Sequence, residues 1–226
     1  MAAQAHRLIA EMILPGVATI EIDAAVETFL RDHRATPSFK GYRGFPAATS
    51  ICVNDEMVHG VPGTRTLQNG DLVTVDIGVY RLGYHVELAQ TYGVGTISEE
   101  AARLIECAKQ ALQAGVEAAR AGNSVSTIGN AIYEHVKADG FTLAEGFGGH
   151  GIGKRLHEAP LITMTSEMIL QAGMTLAIEP IVCAGNGRNK RQGWTAISED
   201  GSLSAHVEQT VAVMSEGGAE ILTVMA

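Results

Sequence analysis

The sequence predicts a mixed α+β fold built as two similar half-domains about a pseudo-dyad, and three observations predict it. LQNGDLVTVDIGV (67–79) and LQAGMTLAIEPIV (170–182) match at an offset of 103, which sets Leu67 on Leu170 and Asp76 on Glu179. GVATIEIDAAVETFLRD and GNSVSTIGNAIYEHVKADGF match at an offset of 106, with Gly16 on Gly122, Ile22 on Ile128 and Val26 on Ile132. The first pair reads as turn plus strand and the second as helix, so two mixed copies predict half-domains rather than a solenoid. Third, each repeated strand is apolar yet carries one carboxylate. An unpaired buried carboxylate is costly, so Asp76 and Glu179 need a shared reason. The expected organisation is a single domain, 1–226, with halves of about 1–97 and 98–226.

The elements follow in order. MAAQAHRLIAEMIL has a helical apolar pattern that Pro15 and Gly16 stop. Ile22, Val26, Phe29 and Leu30 recur at helical spacing in the next segment. After a Gly- and Pro-rich stretch, SICVND reads as a short strand, HGVPGTRTLQNG as a loop, and DLVTVDIGVY as a buried strand rich in β-branched residues. RLG turns the chain into a returning strand, YHVELAQTYGVG. Residues 98–121 form a long helix with Ser98 as N-cap and Glu99 and Glu100 in its first turn.

The bulk composition narrows the function. The 226 residues are 46% hydrophobic and 18% charged, which supports a substantial core. A net charge of −9 argues against nucleic-acid or anionic-membrane partners. The basic cluster GRNKRQGW reads as a solvated hairpin tip. Cys52, Cys107 and Cys183 show neither CxxC nor disulfide spacing, which suggests buried thiols in a reducing compartment. No apolar run approaches the roughly 20 residues that span a bilayer, and the expected location is the cytoplasm.

Several acidic residues and one histidine then converge. A turn centred between Arg81 and Leu82 would place Asp76 directly opposite Glu87, where two carboxylates repel unless a cation lies between them; a slipped register would leave Glu87 in solvent. GFGGHG matches GxGxxG only formally, because Lys, Arg, His and Pro follow it instead of an apolar helix. What remains is His150 in a glycine-rich loop, with His157 seven residues on. A histidine alone is more often structural than ligating. Glu208, at the start of an apolar strand, would alone read as an edge residue facing water. Together, Asp76, Glu87, His150, Glu179 and Glu208 offer four carboxylates and an imidazole. That set suits Mn, Fe, Co or Zn, and four carboxylates balance two divalent ions.

The motifs GYRGFP, VNDEMVHGVP, LQNGDLVTVDIGV, GGHGIGKRLHEAP, GMTLAIEP, GWTAISEDGSLSAHVEQT and EILT resemble those of the type I methionine aminopeptidases over nearly the whole chain. The resemblance implies the pita-bread fold, an antiparallel sheet covered by helices. It implies two metal ions on Asp76, Glu87, His150, Glu179 and Glu208, with a bridging hydroxide as nucleophile. It implies that His59 and His157 contact substrate, that Glu179 is general base and acid, and that Phe39, Tyr42, Phe45 and Trp194 line the methionine pocket. The implied substrate is an N-terminal methionine on a peptide or nascent chain. A monomer working near the ribosome is the expected setting. One position departs: the family carries Asp where this chain has Glu87, flanked by Val86 and Leu88 in place of Gly and Thr. Two other readings stay open on the sequence, a metallohydrolase of this fold with a different amide substrate and a catalytically silent binding protein.

Overall fold

Two ten-residue strands form the spine of the first half. The computed structural model describes residues 1–224. Helices α1 (Ala2–Ala10) and α2 (Thr19–Asp32) lead into strands β1 (Thr36–Pro37), β2 (Ser50–Val53) and β3 (Glu56–Val58), then β4 (Leu72–Arg81) and β5 (Tyr84–Gly93). Helices α3 (Glu99–Ala118) and α4 (Ser126–Ala138) follow, then β6 (Thr142–Leu143), β7 (His150–Gly151), β8 (Glu158–Leu161), β9 (Thr175–Ile178) and β10 (Ile181–Cys183). The chain closes with β11 (Asn189–Gln192), β12 (Thr195–Ser198), β13 (Ser204–His206), β14 (Gln209–Val213) and β15 (Ala219–Ile221). All strand pairings between these elements are antiparallel, and the helices cover the sheets. None of the helices among the described residues is long and apolar enough to cross a membrane.

The helical spacing read from the sequence faces the core. Ile22, Val26 and Leu30 of α2 pack with Ile9 of α1 against Val73, Val75 and Ile77 of β4, all buried. Each such side chain contributes about 1.5–3 kcal/mol relative to exposure. A second cluster sets Leu104, Ala108 and Leu112 of α3 and Ile128 and Ile132 of α4 against Leu176, Ile178 and Val211. Ser98 caps α3, its hydroxyl accepting from the Ala101 N–H at 3.1 Å. The first helix ends at Ala10, earlier than Pro15 alone predicts, because residues 11–14 already turn, with Met12 N–H bonded to Ile9 O and Leu14 N–H to Met12 O.

Backbone hydrogen bonds recur at the sequence offsets. Gly16 N–H donates to Leu67 O (2.8 Å) and Gly122 N–H to Leu170 O (2.9 Å), both glycines at φ near +90° (92° and 90°). Leu67 N–H donates to Val17 O (2.9 Å), and Leu170 N–H to Asn123 O (2.8 Å). Gly70 N–H reaches Val94 O, and Gly173 N–H reaches Val213 O (both 2.8 Å). Strand β4 lies between β5 and β2; β9 lies between β14 and β7.

The hairpin register differs from the expected one. Arg81 pairs with Tyr84, so Glu87 lies opposite Gly78 and Asp76 opposite Ala89. The turn is Leu82–Gly83, both with positive φ (53° and 90°), the two-residue geometry whose twist matches antiparallel strands. A shift of two residues keeps every side chain on its face. Glu87 therefore stays buried on the same side as Asp76, as a diagonal neighbour, and the slipped register that would expose it is not adopted.

Candidate active site

The chain brings all eleven sequence-predicted site residues to one cleft of about 380 Å³: Phe39, Tyr42, Phe45, His59, Asp76, Glu87, His150, His157, Glu179, Trp194 and Glu208. Asp76 comes from the middle of β4 and Glu87 from β5. Glu179 follows the last residue of β9, where Pro180, lacking an N–H, interrupts the strand. Glu208 enters β14, its N–H donating to Ala89 O at 3.0 Å, which ties the second sheet to the first. His150 is in β7, paired to β9 through Ala177.

The glycines around His150 serve close approach, not phosphate binding. A Cβ on Gly149 would lie 2.2 Å from Ala177 O, and one on Gly151 would lie 2.2 Å from Ala159 O. Only glycine lets β7 slip between β8 and β9. The His150 Nδ1–H donates to Gly151 O at 2.9 Å, and because a carbonyl only accepts, the proton is fixed there. Its Nε2 lone pair is then directed at Glu179 Oε1 (3.3 Å) and Glu87 Oε2 (3.5 Å).

The acidic cluster is strongly perturbed. Burial raises Asp76 to about 7. Glu87 is raised well above the usual carboxylate range by burial, then by the charges of Asp76 and Glu179; Glu179 is raised by burial, then by Asp76. Glu208 is raised by burial, then by Glu87, Asp76 and Glu179. Burial and mutual repulsion thus favour the protonated form of each group. Asp76 Oδ1 and Glu87 Oε2 are buried and make no hydrogen bond. Buried acceptors without partners are rare, and a divalent ion satisfies them directly. Ligand atoms of His150, Glu179 and Glu208 lie within 4.8 Å of one another, as do those of Glu87, His150 and His157. The oxygen-rich donor set with one imidazole fits a pair of divalent metal ions.

Around this floor stand the remaining residues. Phe45 meets Phe39 and Trp194 edge-to-face, at centroid distances of 6.5 and 5.5 Å. His157 Nδ1 lies 2.8 Å from the Tyr42 hydroxyl, and its ring is 4.3 Å from that of His150. His59 has φ +59°, an uncommon backbone conformation for a non-glycine residue. Burial, reinforced by Arg191, lowers its pKa to about 4. Burial also lowers His157, with His150 next in effect.

Sequence reasoning missed several neighbours. Ser50, Arg43, Val58 and Leu161 also line the cleft, and Leu156 packs with Phe39 and Phe45. Arg191 belongs to GRNKRQGW, which forms a hairpin tip as expected but is not wholly given to solvent. Its Nη1 donates to Trp194 O (2.6 Å) and to His59 Nδ1 (3.3 Å). A guanidinium only donates, so His59 Nδ1 accepts and its proton sits on Nε2. His206 is also buried, its Nε2 without a hydrogen bond and 3.7 Å from Glu179 Oε2. Burial lowers its pKa to about 3, so it is neutral. The only signal for either residue was its closeness in sequence to Trp194 or Glu208. A larger, mostly apolar cavity of about 750 Å³ lies between α4 and residues 141–149. It meets the acidic cluster only through Glu179.

A cluster of carboxylates and imidazole between two pseudo-equivalent sheets defines a metallohydrolase-type centre. The family model for metallopeptidase family M24 matches residues 1–215, and the chain belongs to that family. It is 45% identical to a methionine aminopeptidase of Clostridium perfringens, over 96% of this chain and 90% of that protein. The crystal structure of the methionine aminopeptidase from Thermotoga maritima superposes with a TM-score of 0.95 at 36% identity, covering 98% of this chain and 92% of that one. That from Rickettsia prowazekii gives 0.95 at 32% identity, covering 99% and 92%. The fold is the pita-bread fold, and the resemblance to type I methionine aminopeptidases extends over nearly the whole chain.

Proposed function

We propose that this chain is a two-metal aminopeptidase that releases the initiator methionine from nascent or short polypeptides. The observation that carries the reading is the buried acidic cluster, with unpartnered oxygens on Asp76 and Glu87, at the floor of an aromatic-walled cleft. Asp76, Glu87, His150, Glu179 and Glu208 would hold two divalent ions (Co, Mn, Fe or Zn). Such ions supply Lewis acidity, which polarises a carbonyl and lowers the pKa of water toward about 7.

The protein's own groups do the rest. Phe39, Tyr42, Phe45 and Trp194 accept the thioether, since sulfur–aromatic contacts are worth about 0.3–1.5 kcal/mol each. Glu179, the least buried of the four carboxylates at 14% exposure, takes the proton of the attacking water and passes it to the leaving nitrogen. His59, protonated at Nε2 through its bond to Arg191, donates to the oxygen that becomes negative at the scissile carbonyl, and His157 holds the peptide beside it. We read residues 1–226 as one catalytic domain in two halves, working as a cytoplasmic monomer on chains that leave the ribosome.

A panel of tripeptides tests the substrate class. Met before a small residue should be cleaved faster than Leu, Lys or Pro in first position. A preference for another first residue, or for Xaa-Pro bonds, would move the assignment to a different substrate on the same centre.

A further inference from the structure

A second group of ligand-type side chains lies outside the cleft, on the paired helices α3 and α4. We propose that Cys107, His135 and Asp139 form a separate site for a divalent ion of the zinc class. Cys107 projects from the middle of α3 and is 1% exposed. His135 stands in the last turn of α4 and Asp139 is its C-cap residue, four positions on and so on the same face. One ligand atom from each of the three lies within 4.8 Å of the other two.

The imidazole points to an absent partner. His135 Nε2 is buried and makes no hydrogen bond. The nearest carboxylate oxygen, Asp139 Oδ2, is 3.9 Å away, too far for one. Sulfur, nitrogen and oxygen donors together suit zinc, with three protein ligands and a fourth position for water on the side where Asp139 is exposed.

The charges also fit. A Cys107 thiolate and the Asp139 carboxylate would neutralise a dication, and binding would release the Cys107 proton to solvent. Arg103 is the neighbouring cation; its Nη2 donates to the Asp139 backbone carbonyl (3.3 Å), and its guanidinium lies 5.5 Å from the Phe141 ring centre. Arg103 thus engages the Asp139 backbone, while the Asp139 carboxylate accepts from the Cys107 thiol, a proton that an ion between the two would displace. The other two cysteines, Cys52 and Cys183, belong to no such cluster among the described residues. A bound ion would pin the last turn of α4 to α3.

The test is independent of the catalytic reading, because the cleft offers oxygen and nitrogen ligands but no thiolate. Cobalt(II) is titrated into chelator-treated full-length protein while near-ultraviolet absorption is followed. The expected result is a sulfur-to-cobalt charge-transfer band that saturates with one equivalent beyond those taken up by the cleft, and that zinc abolishes. Cys107→Ser should lose the band yet keep the other equivalents and methionine release. His135→Gln, a half-exposed change that spares the thiol, should weaken the band-forming site tenfold or more. Absence of the band would overturn the proposal. So would a band that needs a large excess of cobalt, or one that persists in Cys107→Ser.

Discussion

Glu87 and His206 occupy matching places in the two halves and carry opposite chemistry. Thr210 Oγ1 accepts from Glu87 N–H (2.9 Å) and donates to Glu87 O (2.8 Å). Thr91 Oγ1 accepts from His206 N–H (2.9 Å) and donates to His206 O (2.7 Å). Each threonine of one half thus clasps the backbone of the other half's counterpart residue. The fold repeats the backbone; the side chains do not repeat. A carboxylate at both places would put five anions around the centre. An imidazole at 206 keeps the number at four, matched to two dications, and sets a neutral ring with its Nε2 3.7 Å from Glu179 Oε2.

The largest expected effect separates the two chemistries by pH. In the folded, metal-free chain Asp76 titrates at about 7 instead of 3.8, and Glu87, Glu179 and Glu208 shift in the same direction. A raised folded pKa means stability that is fully present below the unfolded value and is lost as pH rises through the folded one. His206, lowered to about 3, and His6, lowered to about 4, act oppositely: their contribution is present above 6.5 and lost as pH falls. Between pH 6.5 and 8 the four raised carboxylates outweigh the one opposing group, the N-terminal amine, which burial lowers from 8.0. Calorimetry of metal-free protein should show Tm falling across that window, while metal-loaded protein stays level.

Replacing His206 comes next. His206→Leu removes the imidazole beside Glu179 and should cost about 10- to 100-fold in metal affinity or turnover, whereas His206→Gln keeps a polar side chain there and should retain most of both. Equal behaviour of the two variants would reduce His206 to packing. The threonine clasps offer a finer comparison. Thr91→Val and Thr210→Val should each destabilise by about 1–3 kcal/mol, because each leaves a buried backbone N–H and C=O unpaired. Thr210→Val, which holds the ligand Glu87, should weaken metal binding more than Thr91→Val, which holds His206. The smallest effect concerns the length of Glu87. Metal titration into the apo protein should give two unequal affinities, and Glu87→Asp should change the weaker one more; no change in either would place Glu87 outside the site.

Much of this could be read from the chain because the repeat is written twice. The offsets that aligned Asp76 with Glu179 and Gly16 with Gly122 correspond to matching hydrogen bonds. The hairpin register was off by two because its turn depends on positive φ at Leu82 and Gly83, which the strand pattern does not encode. The face of Glu87 survived, since side-chain direction has period two. Arg191 and His206 could not be placed in advance. Arg191 reaches His59 across 132 positions of sequence, and a basic hairpin tip reads as solvent-facing by composition alone. His206 gains its meaning from Glu179 and Thr91, contacts made only when the two sheets meet.

The most direct measurement is methionine release from a Met-Ala-Ser peptide, read by mass spectrometry, for chelated protein, chelated protein given back two equivalents of metal, and Glu179→Gln with metal. The account predicts negligible release without metal and recovery on its return. It predicts a rate lower by about two to four orders of magnitude in Glu179→Gln, the span of general acid–base catalysis. Undiminished release by the exhaustively chelated protein, or by Glu179→Gln, would contradict it.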